Sequence, residues 1–161
     1  MAESRSSSTS IPIVFVLWGD KFEEETASIF TTEMRRVGLR VKVVGVNGHS
    51  ASGMHGLALR PDLALGDALS LAYGAACVVL PCDLDMVKRL QEDPRAMSFL
   101  AKAVESNALF IVRRPHIIEE TDLAKLTFSP TNWLCYQGHD DLITFARNMA
   151  NQMFNLININ E

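Results

Sequence analysis

The sequence predicts an α/β fold in which a mainly parallel sheet lies between two layers of helices. Strand-length apolar runs such as IVFVLW at Ile13–Trp18 recur along the chain, and unbroken apolar runs are typical of strands buried on both faces. Segments with the apolar spacing of helices separate these runs. Because strands that alternate with helices form parallel βαβ units, the expected architecture is a three-layer α/β/α sandwich.

Length and composition indicate one ordinary globular domain. The 161 residues are 48% hydrophobic and 21% charged, which excludes a disordered, collagen-like or coiled-coil chain. The formal net charge of −4 makes the chain a poor general binder of nucleic acid, because phosphate neutralisation needs a concentrated basic surface. No apolar run reaches the ~18–20 residues that span a bilayer, so no membrane segment is predicted.

The cysteines and short motifs predict neither a metal nor a cofactor. Cys77, Cys82 and Cys135 form no CxxC pair and no zinc-type cluster, and the chain has no GxGxxG, P-loop or HExxH motif. An odd number of cysteines without a secretory signal favours a reducing, cytoplasmic location. We expect the serine-rich residues 1–10 to be a disordered tail that precedes a single domain at residues 11–161.

The first βαβ unit follows from the apolar pattern and from the charges at the ends of its helix. Ile13–Trp18 predicts a strand that ends at Gly19. Residues 22–37 have helical apolar spacing, with glutamates in the first turn and arginines in the last turn, as the helix dipole favours. Gly38 then stops the helix, and the alternating residues 39–46 predict the second strand.

The middle of the chain predicts a loop, a short arm and a third strand. Residues 47–56 are polar and glycine-rich, as loops are. Residues 57–63 indicate a short extended arm and residues 66–73 a short helix. The apolar residues 76–80 predict a buried strand, which Pro81 ends.

The remaining residues predict two strands and several helices, the last of them long. Residues 83–90 and 94–105 are helical, with Asp93 as the cap of a helix that starts at Pro94. Residues 109–112 and 133–136 predict strands on either side of a short helix at residues 117–126. Asp140 and Asp141 are the expected N-cap pair of the final helix. Its apolar stripe, assigned to core or to a dimer surface, consists of Leu142, Phe145, Met149, Met153 and Leu156.

Several segments, taken in their order along the chain, match the pattern of a known protein family. The matching pieces are the glutamate-rich helix start, MRRVG and VKVVGV within residues 14–48, and then segments at 62–67, 78–81, 125–130 and 138–146. Over most of its length the chain resembles the ThiJ/PfpI (DJ-one) family of the class I glutamine-amidotransferase-like superfamily. The resemblance implies a flavodoxin-like sandwich that pairs as a homodimer.

The chain departs from the pattern of this family at the residues that carry its chemistry. The family uses a nucleophilic cysteine at a strained turn between a strand and a helix, and the resemblance places Val112 there, followed by Arg113 and Arg114 instead of small residues. Valine has no nucleophile, and its β-branch disfavours a positive φ. The family's histidine falls on Ser129, its oxyanion-hole glycines on Cys82 and Asp83, and its acidic residue on Thr26 or Glu25.

Candidate site residues lie after the predicted strands, because ligands of such sheets bind outside the carboxyl ends of the strands. Cys82 could replace the missing thiol, and one of the glutamates at 23–25 could serve as a pocket acid. Arg113 and Arg114 either bind a carboxylate or phosphate, or act as a plug. The expected partners of such a plug are Asp83, Glu24, Glu25, Glu119 or Glu120. The candidate catalytic residues are Glu24, Glu25, Cys82 and His116. The candidate pocket residues are Asp20, Asp83, Val112, Arg113, Arg114, Ser129 and His139.

Three functional hypotheses follow. In the first, the chain is a pseudoenzyme that binds a small anionic or carbonyl ligand, or a protein partner. In the second, it is an enzyme with a repurposed pocket that performs acid/base chemistry of the hydratase, lyase or isomerase type on a small carbonyl compound. In the third, it is a structural partner of an active paralogue. An enzyme needs a carboxylate or an imidazole inside a cavity that is open to solvent. A site filled by Arg113 and its neighbours has no such cavity.

Overall fold

Six parallel strands form one sheet in the order β3-β2-β1-β4-β5-β6. The computed structural model describes residues 11–48, 51–126, 132–138 and 141–159, so the expected tail at residues 1–10 lies outside the described residues. The strands are β1 Ile13–Trp18, β2 Arg40–Gly45, β3 Leu63–Ala64, β4 Ala75–Val79, β5 Leu109–Val112 and β6 Trp133–Cys135.

Helices cover both faces of this sheet and complete the three-layer α/β/α sandwich. α1 packs against α6, whereas α4 packs against α2 and against the first of two 3-10 segments. None of the helices in the described part of the chain is long and apolar enough to cross a membrane. The helices are α1 Glu24–Arg36, α2 Leu65–Ala68, α3 Leu84–Leu90, α4 Pro94–Glu105, α5 His116–Glu119 and α6 Leu142–Ile159, and the 3-10 segments are Leu69–Gly74 and Asp122–Leu126.

The central strand β1 organises the core. All six of its residues are buried, as expected for a strand with neighbours on both sides and helices above and below. On one helical layer, the ring of Phe15 meets Phe99 of α4 edge-on, with centroids 5.0 Å apart. In the other layer, Phe30 of α1 meets Phe145 of α6 at 6.1 Å. Such aromatic contacts add to the free energy gained by burying apolar area.

The predicted fold class is confirmed, and most elements are present with small shifts in their bounds. β1 and β5 have the predicted limits. Asp93 caps α4 by accepting a hydrogen bond from Arg95 N, as expected. Asp141 accepts from Ile143 N at the start of α6, whereas Asp140 lies outside the described residues.

Several element predictions need correction. The arm expected at residues 57–63 contributes only the two-residue strand β3, and the helix expected at 66–73 is mostly 3-10. The helix expected at 117–126 is interrupted, because Thr121 Oγ1 donates to Ile117 O and accepts from Leu123 N. In the apolar stripe of α6, Met149 and Met153 are buried whereas Leu156 is 58% exposed, so the stripe lies only partly in the core.

Glu24 holds the loop that follows β2. Its buried carboxylate accepts hydrogen bonds from His55 N at 2.8 Å and Leu57 N at 3.2 Å, and His55 Nδ1 lies 3.2 Å from its other oxygen. Burial opposes ionisation of Glu24, but these hydrogen bonds outweigh it and lower the pKa of the carboxyl group. Gly53 packs directly on the Glu24 side chain, so a Cβ at this position would overlap the carboxylate.

We predict that Gly53→Ala destabilises the protein by about 1–3 kcal/mol, because the added methyl group must displace Glu24 from its donors. The measurement is the free energy of unfolding from chemical denaturation. Gly66→Ala is the matched control, since its Cβ would meet open space on α2 and alanine favours a helix. Equal stability of the two variants would contradict the role given to Glu24.

Candidate functional site

The carboxyl ends of four strands bring the candidate site together. The loop after β1 leads to Glu23, whose extended backbone forms the N-cap of α1. Its N–H donates to Pro81 O at 2.7 Å, which ties the loop after β1 to the loop after β4. Arg113 follows β5 and Tyr136 follows β6 directly. Parallel strands thus place four loops at one edge of the sheet.

Glu23 is the centre of this cluster. Its Oε1 accepts a hydrogen bond from Arg113 Nη1 at 2.8 Å. Its Oε2 accepts from the Tyr136 hydroxyl at 2.7 Å and from Thr26 Oγ1 at 2.9 Å. The residue is only 9% exposed, and a buried carboxylate is stable as an ion when donors surround it in this way.

The three consecutive glutamates therefore have different surroundings. Glu23 faces the cluster, Glu24 faces the loop at residues 53–57, and Glu25 is exposed. The sequence left open which of these glutamates faces the pocket; it put forward Glu24 and Glu25 as catalytic candidates and gave no sign of Tyr136. The signal for Glu23 was its place just before the helix, but all three glutamates satisfy the helix dipole equally well.

Arg113 and Arg114, the two arginines after β5, both lie close to the Asp83 carboxylate. Arg113 Nη1 lies 3.4 Å from Asp83 Oδ2 in addition to its bond with Glu23. Arg113 Nε donates to Gln137 Oε1 at 3.3 Å. Arg114 Nη2 lies 3.7 Å from Asp83 Oδ1, and its Nε is buried without a hydrogen-bond partner in the described part of the chain. The two guanidinium groups and two carboxylates thus balance in charge.

The thiol of Cys82 is close to the carboxylates of this cluster. It is fully buried, and burial raises its pKa well above the usual range, helped by the charges of Glu23 and Asp83. The thiolate is the reactive form of cysteine, and these surroundings suppress it. Burial alone raises the pKa of Cys77 to about 12. Burial and Glu119 raise the pKa of Cys135.

Val112 ends β5 without backbone strain. It is fully buried and pairs in register with Cys135 of β6. In the described ranges, Lys21 and Asn107 are the non-glycine residues with positive φ, so Val112 is not in the left-handed region. The prediction that Val112 lacks the strained geometry of a nucleophile turn is confirmed.

Tyr136 donates to the cluster and keeps its proton. Burial raises its pKa, and the neighbouring Glu23 carboxylate raises the pKa further because a phenolate would repel it. The hydroxyl therefore acts as a hydrogen-bond donor at any physiological pH. The phenol donates a hydrogen bond of 2.7 Å to Glu23, and this bond helps to hold the carboxylate in position.

Two other candidate residues, His116 and Asp20, form no hydrogen bond with the cluster in the described part of the chain. His116 begins α5 and is half-buried, and its side chain contacts no polar group among the described residues. Asp20 is exposed and accepts from Ser52 N and Asn47 Nδ2. Ser129 and His139 lie outside the described residues. Within the described ranges, no three His, Cys, Asp or Glu side chains are grouped as a metal site.

Comparisons with solved structures agree with the fold described above. The fold is similar to that of an oxidised DJ-1 from Toxoplasma gondii, with a TM-score of 0.69, 14% identity and coverage of 91% of this chain and 97% of the other. It is also similar to a cysteine-to-alanine mutant of a DJ-1 superfamily protein from Salmonella typhimurium (TM-score 0.68, 16% identity) and to DJ-1beta from Drosophila melanogaster (0.67, 19%). Each of these two matches covers 89% of this chain and 91% of the other.

The sequence comparisons assign the family. No curated protein matches the sequence. The family model described as the DJ-1/PfpI family matches residues 13–112, which is more than half of the chain. This match includes β1 to β5 and agrees with the resemblance noted in the sequence. The chain therefore belongs to the DJ-1/PfpI family.

Proposed function

We propose that this DJ-1/PfpI-family chain is a pseudoenzyme that acts by binding, with its former catalytic site closed by an ion-pair cluster. The observation that carries the proposal is the position of Arg113, which bridges Glu23 and Asp83 above the buried Cys82. A guanidinium held by two carboxylates occupies space that a substrate would need, and it is satisfied without one.

The protonation of the cluster also supports a binding role. A cysteine enzyme lowers the pKa of its thiol with neighbouring cations, whereas burial raises the pKa of Cys82 and the charges of Glu23 and Asp83 raise it further. A repurposed acid/base enzyme would need a free carboxylate or imidazole. Both oxygens of Glu23 accept hydrogen bonds, and the Glu24 carboxylate accepts from the loop at residues 55–57. These contacts favour the pseudoenzyme over the enzyme hypothesis.

We predict that the protein has no glyoxalase, deglycase or protease activity of the cysteine type. The measurement is turnover of methylglyoxal and of peptide substrates by the wild type, by Cys82→Ala and by the control Cys77→Ala. All three proteins should remain at background. Turnover lost only in Cys82→Ala would make Cys82 a replacement nucleophile, and turnover that survives this change would reveal another catalytic group. Either result contradicts the proposal.

The buried thiol should also resist alkylation. In the native protein we expect iodoacetamide to modify Cys135 before Cys82, because Cys135 is half-exposed and Cys82 is fully buried with a raised pKa. Labelling of Cys82 should become fast only in denaturant. The positions of the adducts are read by peptide mass spectrometry. Rapid labelling of native Cys82 at neutral pH would disprove this picture of the site.

We predict that Arg113→Ala lowers stability by about 1–3 kcal/mol, because it leaves the buried Glu23 carboxylate without its cation. This expected loss of stability is smaller than the ~3–5 kcal/mol lost when a wholly buried ion pair is broken, because the Arg113 side chain is 25% exposed. Arg95→Ala is the control, because its pair with Asp93 is exposed and contributes less than about 1 kcal/mol. Adding Glu23→Gln to Arg113→Ala should recover part of the loss.

Thermal and chemical denaturation measure these changes. The alternative is that Arg113 binds an anionic ligand. In that case Arg113→Ala would leave the melting temperature unchanged and would abolish stabilisation by small carboxylates and phosphates in a thermal-shift assay. That pair of results would overturn the structural role of Arg113 and favour an open anion site.

We also predict a homodimer in the cytoplasm. Large apolar side chains on the last turns of α6 are exposed, with Leu156 at 58% and Ile159 at 78%. Two-fold pairing is the commonest way to cover such a surface. Light scattering at micromolar concentration should give about twice the 17.8 kDa mass of the chain. A monomeric mass would contradict the dimer and leave the proposed closure of the catalytic site unaffected.

A further inference from the structure

A groove lies beside the ion-pair cluster at the same edge of the sheet. Its volume is about 780 Å³, and its lining includes Asp20 and Lys21 after β1, the loop at residues 52–56, and Asp85 and Arg89 of α3. A smaller cavity of about 90 Å³ continues it toward the end of β2. The larger volume is within the range of about 300–1,000 Å³ that small-molecule sites have.

The groove occupies the topological switch point of the sheet. From β1 the chain passes to β2 on one side, and β4 pairs with β1 on the other side. Asp20 follows β1 and Asp83 follows β4, and both side chains line the groove. In open α/β sheets this crevice, outside the carboxyl ends of the strands, is where ligands bind.

The loop wall of the groove is already in place. Lys21 N donates to Ser52 O at 2.7 Å, and Met54 N donates to Phe22 O at 2.8 Å. Asp20 Oδ1 accepts from Ser52 N, and Glu24 holds the residues that follow. The loop therefore needs no rearrangement to receive a ligand, which reduces the entropic cost of binding.

The charges in the groove are balanced but are not paired with one another. Lys21, Asp85 and Arg89 are exposed and form no ion pair with the residues that the structure describes. Asp85 and Arg89 stay apart although their i,i+4 spacing on α3 allows a pair. Asp20 has hydrogen-bond donors but no cationic partner within the ranges that the structure describes. Two cations and two carboxylates are thus available, whereas Asp83 is engaged by the arginines after β5.

We propose that this groove binds a small zwitterion of the amino-acid type. The ligand's carboxylate would meet Lys21 and Arg89, and its ammonium group would meet Asp85 and Asp20. Its apolar side chain would lie along Met86, which lines both the groove and the smaller cavity. A phosphate would leave the two carboxylates facing an anion, and a diamine would leave the two cations facing a cation. A ligand with one positive and one negative charge can place each charge against groove residues of the opposite sign.

This inference rests on the proposed binding function and supplies its ligand class. Its test measures binding and not turnover or stability, so its failure is distinguishable from failure of the closed-site proposal. The groove could be empty of ligands while the cluster remains closed. Conversely, the groove could bind while Arg113→Ala proves harmless.

The experiment is an NMR titration of the ¹⁵N-labelled full chain with three probes of one apolar shape. L-leucine carries both charges, 4-methylpentanoate carries only the carboxylate, and 3-methylbutylamine carries only the ammonium group. L-leucine should shift the amides of residues 52–56 and 85–89 saturably, with a Kd of about 1 mM or tighter. Each single-charge probe should bind at least about tenfold more weakly.

Three variants locate the site. Arg89→Gln and Asp85→Asn should each weaken L-leucine binding by about tenfold or more. Lys88→Gln is the control, because Lys88 is exposed on α3 and does not line the groove. Each variant's own ¹⁵N spectrum reports whether it is folded. The proposal is overturned if L-leucine shifts no groove amide at about 10 mM, if all three probes bind equally, or if Lys88→Gln weakens binding as much as Arg89→Gln.

Discussion

The ion pair between Glu23 and Arg113 is the interaction on which the carboxyl edge of the sheet depends. It joins the residue before α1 to the residue after β5, across the loop that follows β4. That loop takes part as well, since Pro81 O accepts from Glu23 N and Asp83 lies 3.4 Å from Arg113. Tyr136, after β6, donates to the same carboxylate. One buried side chain therefore connects four of the loops at this edge.

The carboxylates of the ion-pair cluster add to the effect of burial on the pKa of Cys82. A carboxylate can be buried as an ion only with donors around it, and Arg113, Tyr136 and Thr26 supply them. The resulting negative charge lies close to Cys82 and raises its pKa further than burial alone would. A cluster that stabilises Glu23 as an ion thus works against a cysteine nucleophile at the same place.

The fold and the family could be predicted from the sequence, whereas the centre of the site could not. β1 and β5 are continuous apolar runs bounded by polar residues, so their limits follow directly from burial on both faces. The helix dipole, by contrast, favours all three glutamates at residues 23–25 alike. Because successive residues of a helix point about 100° apart, the facing residue depends on where the helix begins. The observed start at Glu24 directs Glu23 to the cluster. The contribution of Tyr136 depends on contacts between residues 113 positions apart, which no local pattern contains.

Glu23 and Glu24 are adjacent in sequence, and together they divide the carboxyl edge into two parts. Glu23 turns toward β5 and β6, where Arg113 and Tyr136 donate to its carboxylate. Glu24 turns toward the loop after β2, which forms one wall of the open groove. Asp83 borders both parts, with the arginines on one side and the groove on the other. These two neighbouring glutamates therefore hold an ion-pair cluster in one part of the edge and support the wall of an open groove in the other part. The fold thus has a preformed crevice at its switch point.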